Sequence, residues 1–151
     1  MPGPSPASIS RRNRYIPLPS QAPDDEDVII HPTLEFRSNG VQPEHHLRTI
    51  GTIVHPRSEH PASAHLSDSA TVPRLQSLAV VHPDLPWPIT VHPSKRTPFV
   101  TVFDVIRAIS EAMEIPIDHS RRRIDLVGRG RKFLGLRKSE MGGDVWEMCL
   151  V

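Results

Sequence analysis

Leu78-Ala79-Val80-Val81-His82-Pro83-Asp84-Leu85-Pro86-Trp87-Pro88-Ile89-Thr90-Val91-His92-Pro93 is the best patterned segment of the chain and specifies its fold nucleus. Leu78 to Val81 is apolar and rich in β-branched residues, which favours a strand. Trp87, Ile89 and Val91 alternate with Pro88, Thr90 and His92, so the first three share one face of a second strand. Pro83-Asp84 supplies turn chemistry between the two runs, and a hairpin with a long loop is expected. The prolines at 86, 88 and 93 remove backbone donors, which makes the second strand an edge or irregular at its start.

The chain continues Val100-Thr101-Val102-Phe103-Asp104-Val105-Ile106-Arg107-Ala108-Ile109. Thr101 with Asp104 three residues later is a helix start signal, and Asp104 suits the positive end of the helix dipole. Val102, Val105, Ile106, Ile109 and Met113 form one apolar stripe, with Arg107, Ser110, Glu111 and Glu114 off it. The residue before Pro116 disfavours helical geometry, so the helix stops there.

Downstream, His119-Ser120-Arg121-Arg122-Arg123 leads into Ile124-Asp125-Leu126-Val127, then Gly128-Arg129-Gly130-Arg131, then Lys132-Phe133-Leu134-Gly135-Leu136. Two short runs with glycines between them predict a hairpin. Gly142-Gly143 turns the chain into a last strand, Asp144 to Val151, in which Trp146, Met148 and Leu150 share a face. The expected fold is a small α+β domain: a mainly antiparallel sheet of the Leu78, Ile89, Ile124, Phe133 and Trp146 strands, with one principal helix on a face. Trp87, Trp146, Phe103, Phe133 and the helix stripe are its predicted core.

Upstream the pattern weakens. Residues 1–27 are rich in Pro, Ser and charge, and ordering them would cost entropy with little burial in return, so a disordered arm is expected. Arg11-Arg12-Asn13-Arg14 within it resembles a short basic address, although a solvated tail explains it as well. Residues 28–69 read as a weakly ordered extension with one or two short strands, Val28-Ile29-Ile30 before His31-Pro32 and Ile50 to Val54 before His55-Pro56. Ser63 to Thr71 reads as a polar, mobile loop, and residues 70–151 as the α+β domain. His-Pro recurs at His31, His55, His60, His82 and His92 with irregular spacing, which is punctuation of strand ends rather than a repeat.

Composition agrees with a small core beside a polar arm. Apolar residues are 37% of the chain, below the roughly 45–50% of ordinary domains. The net charge of +1 excludes a polycation that coats nucleic acid along its whole length. One cysteine, Cys149, argues against a disulfide-stapled secreted scaffold, and no run approaches the ~18 apolar residues of a membrane span. An intracellular protein, cytoplasmic or nuclear and without membrane contact, is expected.

Several motifs together resemble a known family. Ala70-Thr71-Val72-Pro73, the Leu85-Pro86-Trp87-Pro88-Ile89-Thr90-Val91 core, Val100 to Val105 and the closing segments Arg123 to Val127, Phe133 to Leu136 and Gly143 to Met148 carry the likeness. They resemble a domain of unknown function found in mushroom-forming, basidiomycete fungi, over about residues 70–151. The Glu114 to Arg123 connection is shorter than the family's usual second helical stretch. The resemblance implies fold and fungal origin and no catalytic residues.

No constellation specifies chemistry. His45, His46, His55, His60 and His65 are a loose group without metal-ligand spacing, Cys149 has no identifiable base, and Gly128 to Lys132 lacks the ending of a phosphate loop. No catalytic, cofactor or metal residues are expected. The best functional hint is basic: Arg121, Arg122, Arg123, Arg129, Arg131, Lys132, Arg137 and Lys138 crowd positions 121–138 with Asp125 as the one acid. Such clustering suits an acidic partner surface or a polyanion, and it also suits a solvated rim. The expected function is a non-catalytic protein-interaction module. The alternatives are nucleic-acid or polyanion binding through Arg121 to Lys138, and an enzyme or ligand pocket between helix and sheet near His82, His92 and Asp84.

Overall fold

A computed structural model describes residues 27–38, 64–127 and 132–151, together with the backbone of His45–His46. The proline-rich arm up to residue 26, the expected Ile50 strand and the glycine turn at 128–131 lie outside the described residues. The elements in order are β1 (Ile29–Ile30), β2 (His45–His46), β3 (Thr71–Val72), β4 (Leu78–Val81), β5 (Ile89–Val91), α1 (Val102–Met113), a 3-10 turn (Arg123–Asp125), β6 (Lys132–Lys138) and β7 (Val145–Leu150). Five strands form a sheet in the order β2-β6-β7-β4-β5, and β1 pairs with β3 in a separate ribbon. The chain is α+β, and among the described residues all strand pairs are antiparallel except β4 with β7.

The central hairpin forms as its pattern dictates. Leu78 pairs with Val91, Ala79 with Thr90 and Val80 with Ile89, so Leu78, Val80, Ile89 and Val91 share one face, and all four are buried. β7 continues that face, because Val80 lies opposite Trp146 and Leu136 opposite Met148. Helix α1 covers it with Val102, Val105, Ile106, Ile109, Ala112 and Met113.

The helix start is a reciprocal cap. The Asp104 backbone N–H donates to Thr101 Oγ1 at 3.3 Å, and the Asp104 carboxylate accepts the Thr101 backbone N–H at 2.9 Å and its hydroxyl at 2.7 Å. Asp104 also accepts the Ser94 backbone N–H at 3.0 Å. Two further first-turn donors, Val102 N–H and Phe103 N–H, reach the Asp68 and Leu66 carbonyls. The stretch read as a mobile loop is therefore tied to the helix end that it caps. It is tied again where Ala70 N–H donates to Val100 O and His31 N–H to Ala70 O.

Three expectations need correction. Ile124 is in a 3-10 turn and not in a strand. Asp125 accepts the Arg122 backbone N–H at 2.8 Å, which curls the segment, and the buried Ile124 and Val127 stand three residues apart, a helical spacing. The partners of β6 are consequently β7 and β2, with Glu35 bridged alongside Leu136. Trp87 is 43% exposed; Pro86 and Pro88 deprive it of a ladder position, and Arg123 lies 4.8 Å above its ring centroid. Phe103 is partly exposed at the margin of the core, with Arg107 5.4 Å over its ring.

Residues 28–36, upstream of the central unit, join the same core through Val28, Ile30 and Leu34. Phe36 N–H donates to Leu136 O and Leu136 N–H to Leu34 O, at 2.8 and 2.7 Å. Gly135 makes this approach possible: it has φ +135°, and a Cβ there would lie 2.8 Å from Phe36 N and 2.9 Å from Glu35 C. Both obstacles are backbone and cannot swing aside.

Gly135→Ala should therefore lower the unfolding free energy by about 2 kcal/mol or more, read by chemical denaturation, because positive φ and a backbone clash add. Asp104→Asn should cost about 2 kcal/mol in the same assay, since it removes charge-assisted bonds to three donors in a buried site.

Candidate functional site

The described members of the predicted basic cluster are divided between two elements. Arg121, Arg122 and Arg123 sit around the 3-10 turn, Lys132, Arg137 and Lys138 lie along β6, and Arg129 and Arg131 fall outside the described residues. Most of the described members already hold a counter-charge. Arg121 pairs with Asp118 at 2.8 Å, Arg122 with Glu114, Arg137 with Glu147 at 2.6 Å and Lys138 with Asp27 at 3.2 Å. Arg123 covers Trp87. The acids are remote from their partners along the sequence in three of these pairs, so a count of local charge misses them.

Two shallow grooves flank β6. The larger, about 370 Å³, lies between the Asp27–Ile30 segment and the end of β6, and its lining includes Ile29, Phe36, Leu136, Lys138 and Trp146. Its rim carries Asp27 and Glu35 against Arg137 and Lys138, so its formal charge is balanced. Trp146 is 3% exposed, and its Nε1 has no hydrogen-bond partner among the described residues. An unmet buried donor costs about 1–3 kcal/mol. Beside the groove, Ile29 and Val72 are cross-strand partners left 61% and 67% exposed.

The second groove, about 270 Å³, is lined by His82, Leu134, Arg137, Glu147 and Cys149 among others. His82 thus lines a groove with residues of β6 and β7 and accepts the Asp84 backbone N–H at 3.2 Å, whereas His92 and Asp84, expected with it in a pocket between helix and sheet, line neither groove. Burial is the main cause that pushes the Cys149 thiol above its ordinary pKa. Its Sγ donates to the Glu147 carbonyl at 3.8 Å. Both features disfavour the thiolate that a nucleophile needs.

A third cluster escaped the sequence reading. His31 Nε2 lies 3.3 Å and His65 Nδ1 2.9 Å from the same oxygen, Asp68 Oδ2. The two imidazole rings are 5.4 Å apart at 44°. The hydrogen bond from His65 comes first among the causes that lower the Asp68 pKa. His65-x-x-Asp68 is a local signal that could have been found; His31 is brought in only by the β1–β3 pairing.

These features define a small α+β domain with a mixed central sheet and shallow surface grooves beside it. The chain belongs to a family of unknown function, DUF6699, whose match spans residues 41–121. That match starts upstream of the 70–151 stretch that carried the resemblance and ends before β6. No curated protein and no solved structure matches the chain. Among the described residues no helix is long and apolar enough to cross a membrane.

Asp118 offers a pH test of the loop that carries Arg121. Its carboxylate accepts the backbone N–H groups of Ser120 and Arg121 and the Arg121 guanidinium, and these bonds, Ser120 first, hold its pKa down at about 2. A folded value below the unfolded one stabilises above the unfolded pKa and is lost as pH falls through the folded value. The stability difference between the wild type and Asp118→Asn should be constant above roughly pH 5 and shrink between roughly pH 4 and 2, as read by denaturation at stepped pH.

Proposed function

We infer that this protein is a non-catalytic interaction module that receives a short apolar peptide segment of a partner in the groove between Asp27–Ile30 and the end of β6. One observation carries the reading: the groove is walled by Ile29, Ile30, Phe36, Leu136 and Trp146, and Ile29 stands 61% exposed there. An apolar peptide side chain would fill the groove and cover the exposed Ile29. The balanced rim favours an apolar segment over an acidic one.

Polyanion or nucleic-acid binding draws less support, because most of the described basic residues are matched by acids of this chain. An enzymatic reading has only the His82 groove beside a protonated thiol. An intracellular setting, cytoplasmic or nuclear, fits a chain with a single cysteine. Fungal, basidiomycete origin rests on the sequence resemblance alone.

Panning a random-peptide phage library against the full chain tests the module. The expected outcome is an enriched apolar consensus whose synthetic peptide binds saturably and loses at least about tenfold in affinity, roughly 1.4 kcal/mol, in Ile29→Glu. Ile29 is exposed, so the variant should keep the wild-type melting temperature. Failure to enrich any consensus, or peptides indifferent to Ile29→Glu, would overturn the reading.

A further inference from the structure

We propose that His31, His65 and Asp68 form a binding site for a divalent transition-metal ion of the zinc type. One donor atom from each residue lies within 4.8 Å of the other two. Two of the separations, 2.9 and 3.3 Å to Asp68 Oδ2, are near those that ligands about 2.0–2.1 Å from a tetrahedral ion adopt. Two imidazoles and one carboxylate with open positions make a borderline-soft set that suits zinc and its neighbours better than magnesium or calcium.

The backbone holds the three residues in place. His31 N–H donates to Ala70 O, and the His31 carbonyl accepts Leu34 N–H and Glu35 N–H. Asp68 N–H donates to the His65 carbonyl, while the Asp68 carbonyl accepts Val102 N–H from the helix start. The ligands therefore approach the ion from two segments that the fold has already juxtaposed. Only the side chains have to adjust.

That adjustment follows from the hydrogen bonds. Thr33 N–H donates to His31 Nδ1 at 3.1 Å, so the neutral imidazole carries its proton on Nε2, facing Asp68. Ligation through Nε2 shifts that proton to Nδ1 and ends the Thr33 bond, leaving a partly exposed N–H for water. His65 ligating through Nδ1 carries its proton on Nε2, and this side chain is about half exposed to solvent. The ion would then link the β1 segment to the turn before β3. It is a site apart from the groove, so it stands or falls independently of the peptide reading.

Zinc chloride titrated calorimetrically into the tag-free full chain tests the site, with Co²⁺ absorption as the check on ligand type. One saturable zinc site is expected. His65→Ala and Asp68→Asn should each weaken it at least about tenfold, the smallest loss that even outer-shell changes produce. Saturating zinc should also raise the melting temperature of the wild type and not of Asp68→Asn. Melts without zinc show whether the variants are folded. Absence of saturable binding, or zinc affinity unchanged in both folded variants, would overturn the proposal and, in the latter case, assign the binding to other histidines.

Discussion

The parallel pairing of β4 with β7 is the constraint on which the other elements depend. Val80 lies opposite Trp146, and β7 stands between β4 and β6 in the sheet. The hairpin of β4 and β5 alone would leave Leu78 and Val80 with half a floor. With β7 in place, Trp146 and Met148 extend that floor, and Leu136 of β6 completes it under the helix. A two-stranded hairpin is marginal in water by itself; three or more strands under a helix are what make the apolar face stable. The pairing joins segments far apart in the chain, so its closure entropy has to be offset by the whole apolar face at once.

A second pinning contact works from the other side of the sheet edge. Leu34 to Phe36 lies against Leu136 because Gly135 has no side chain to hold it off. That contact brings Val28, Ile30 and Leu34 into the core and sets one wall of the larger groove. The groove follows from the packing of this upstream segment, and its orphan indole from the burial of Trp146 at the sheet centre. The same segment, through the pairing of β1 with β3, delivers His31 to Asp68.

Charge behaves differently from burial in this protein. Apolar stripes in the sequence emerge as apolar faces, since helix and strand periodicity are local geometry. The run of basic residues emerges as several separate ion pairs on two elements, each exposed and each contributing little to stability. Among the described residues, four of the basic side chains of the run therefore face acids of this chain.

Helix α1 with both its ends, the β4–β5 hairpin with its register face, and the strand character of β6 and β7 were legible in the residues alone. Those follow from caps, prolines and periodicity within a few residues. The closed fold set the parallel pairing of β7 with β4, the turn at Ile124 and the place of Trp87 under an arginine at the surface. It alone brought His31 to His65 and Asp68. Each of these depends on a partner remote in the chain, and neither propensity nor spacing carries information about a contact that only the closed sheet creates.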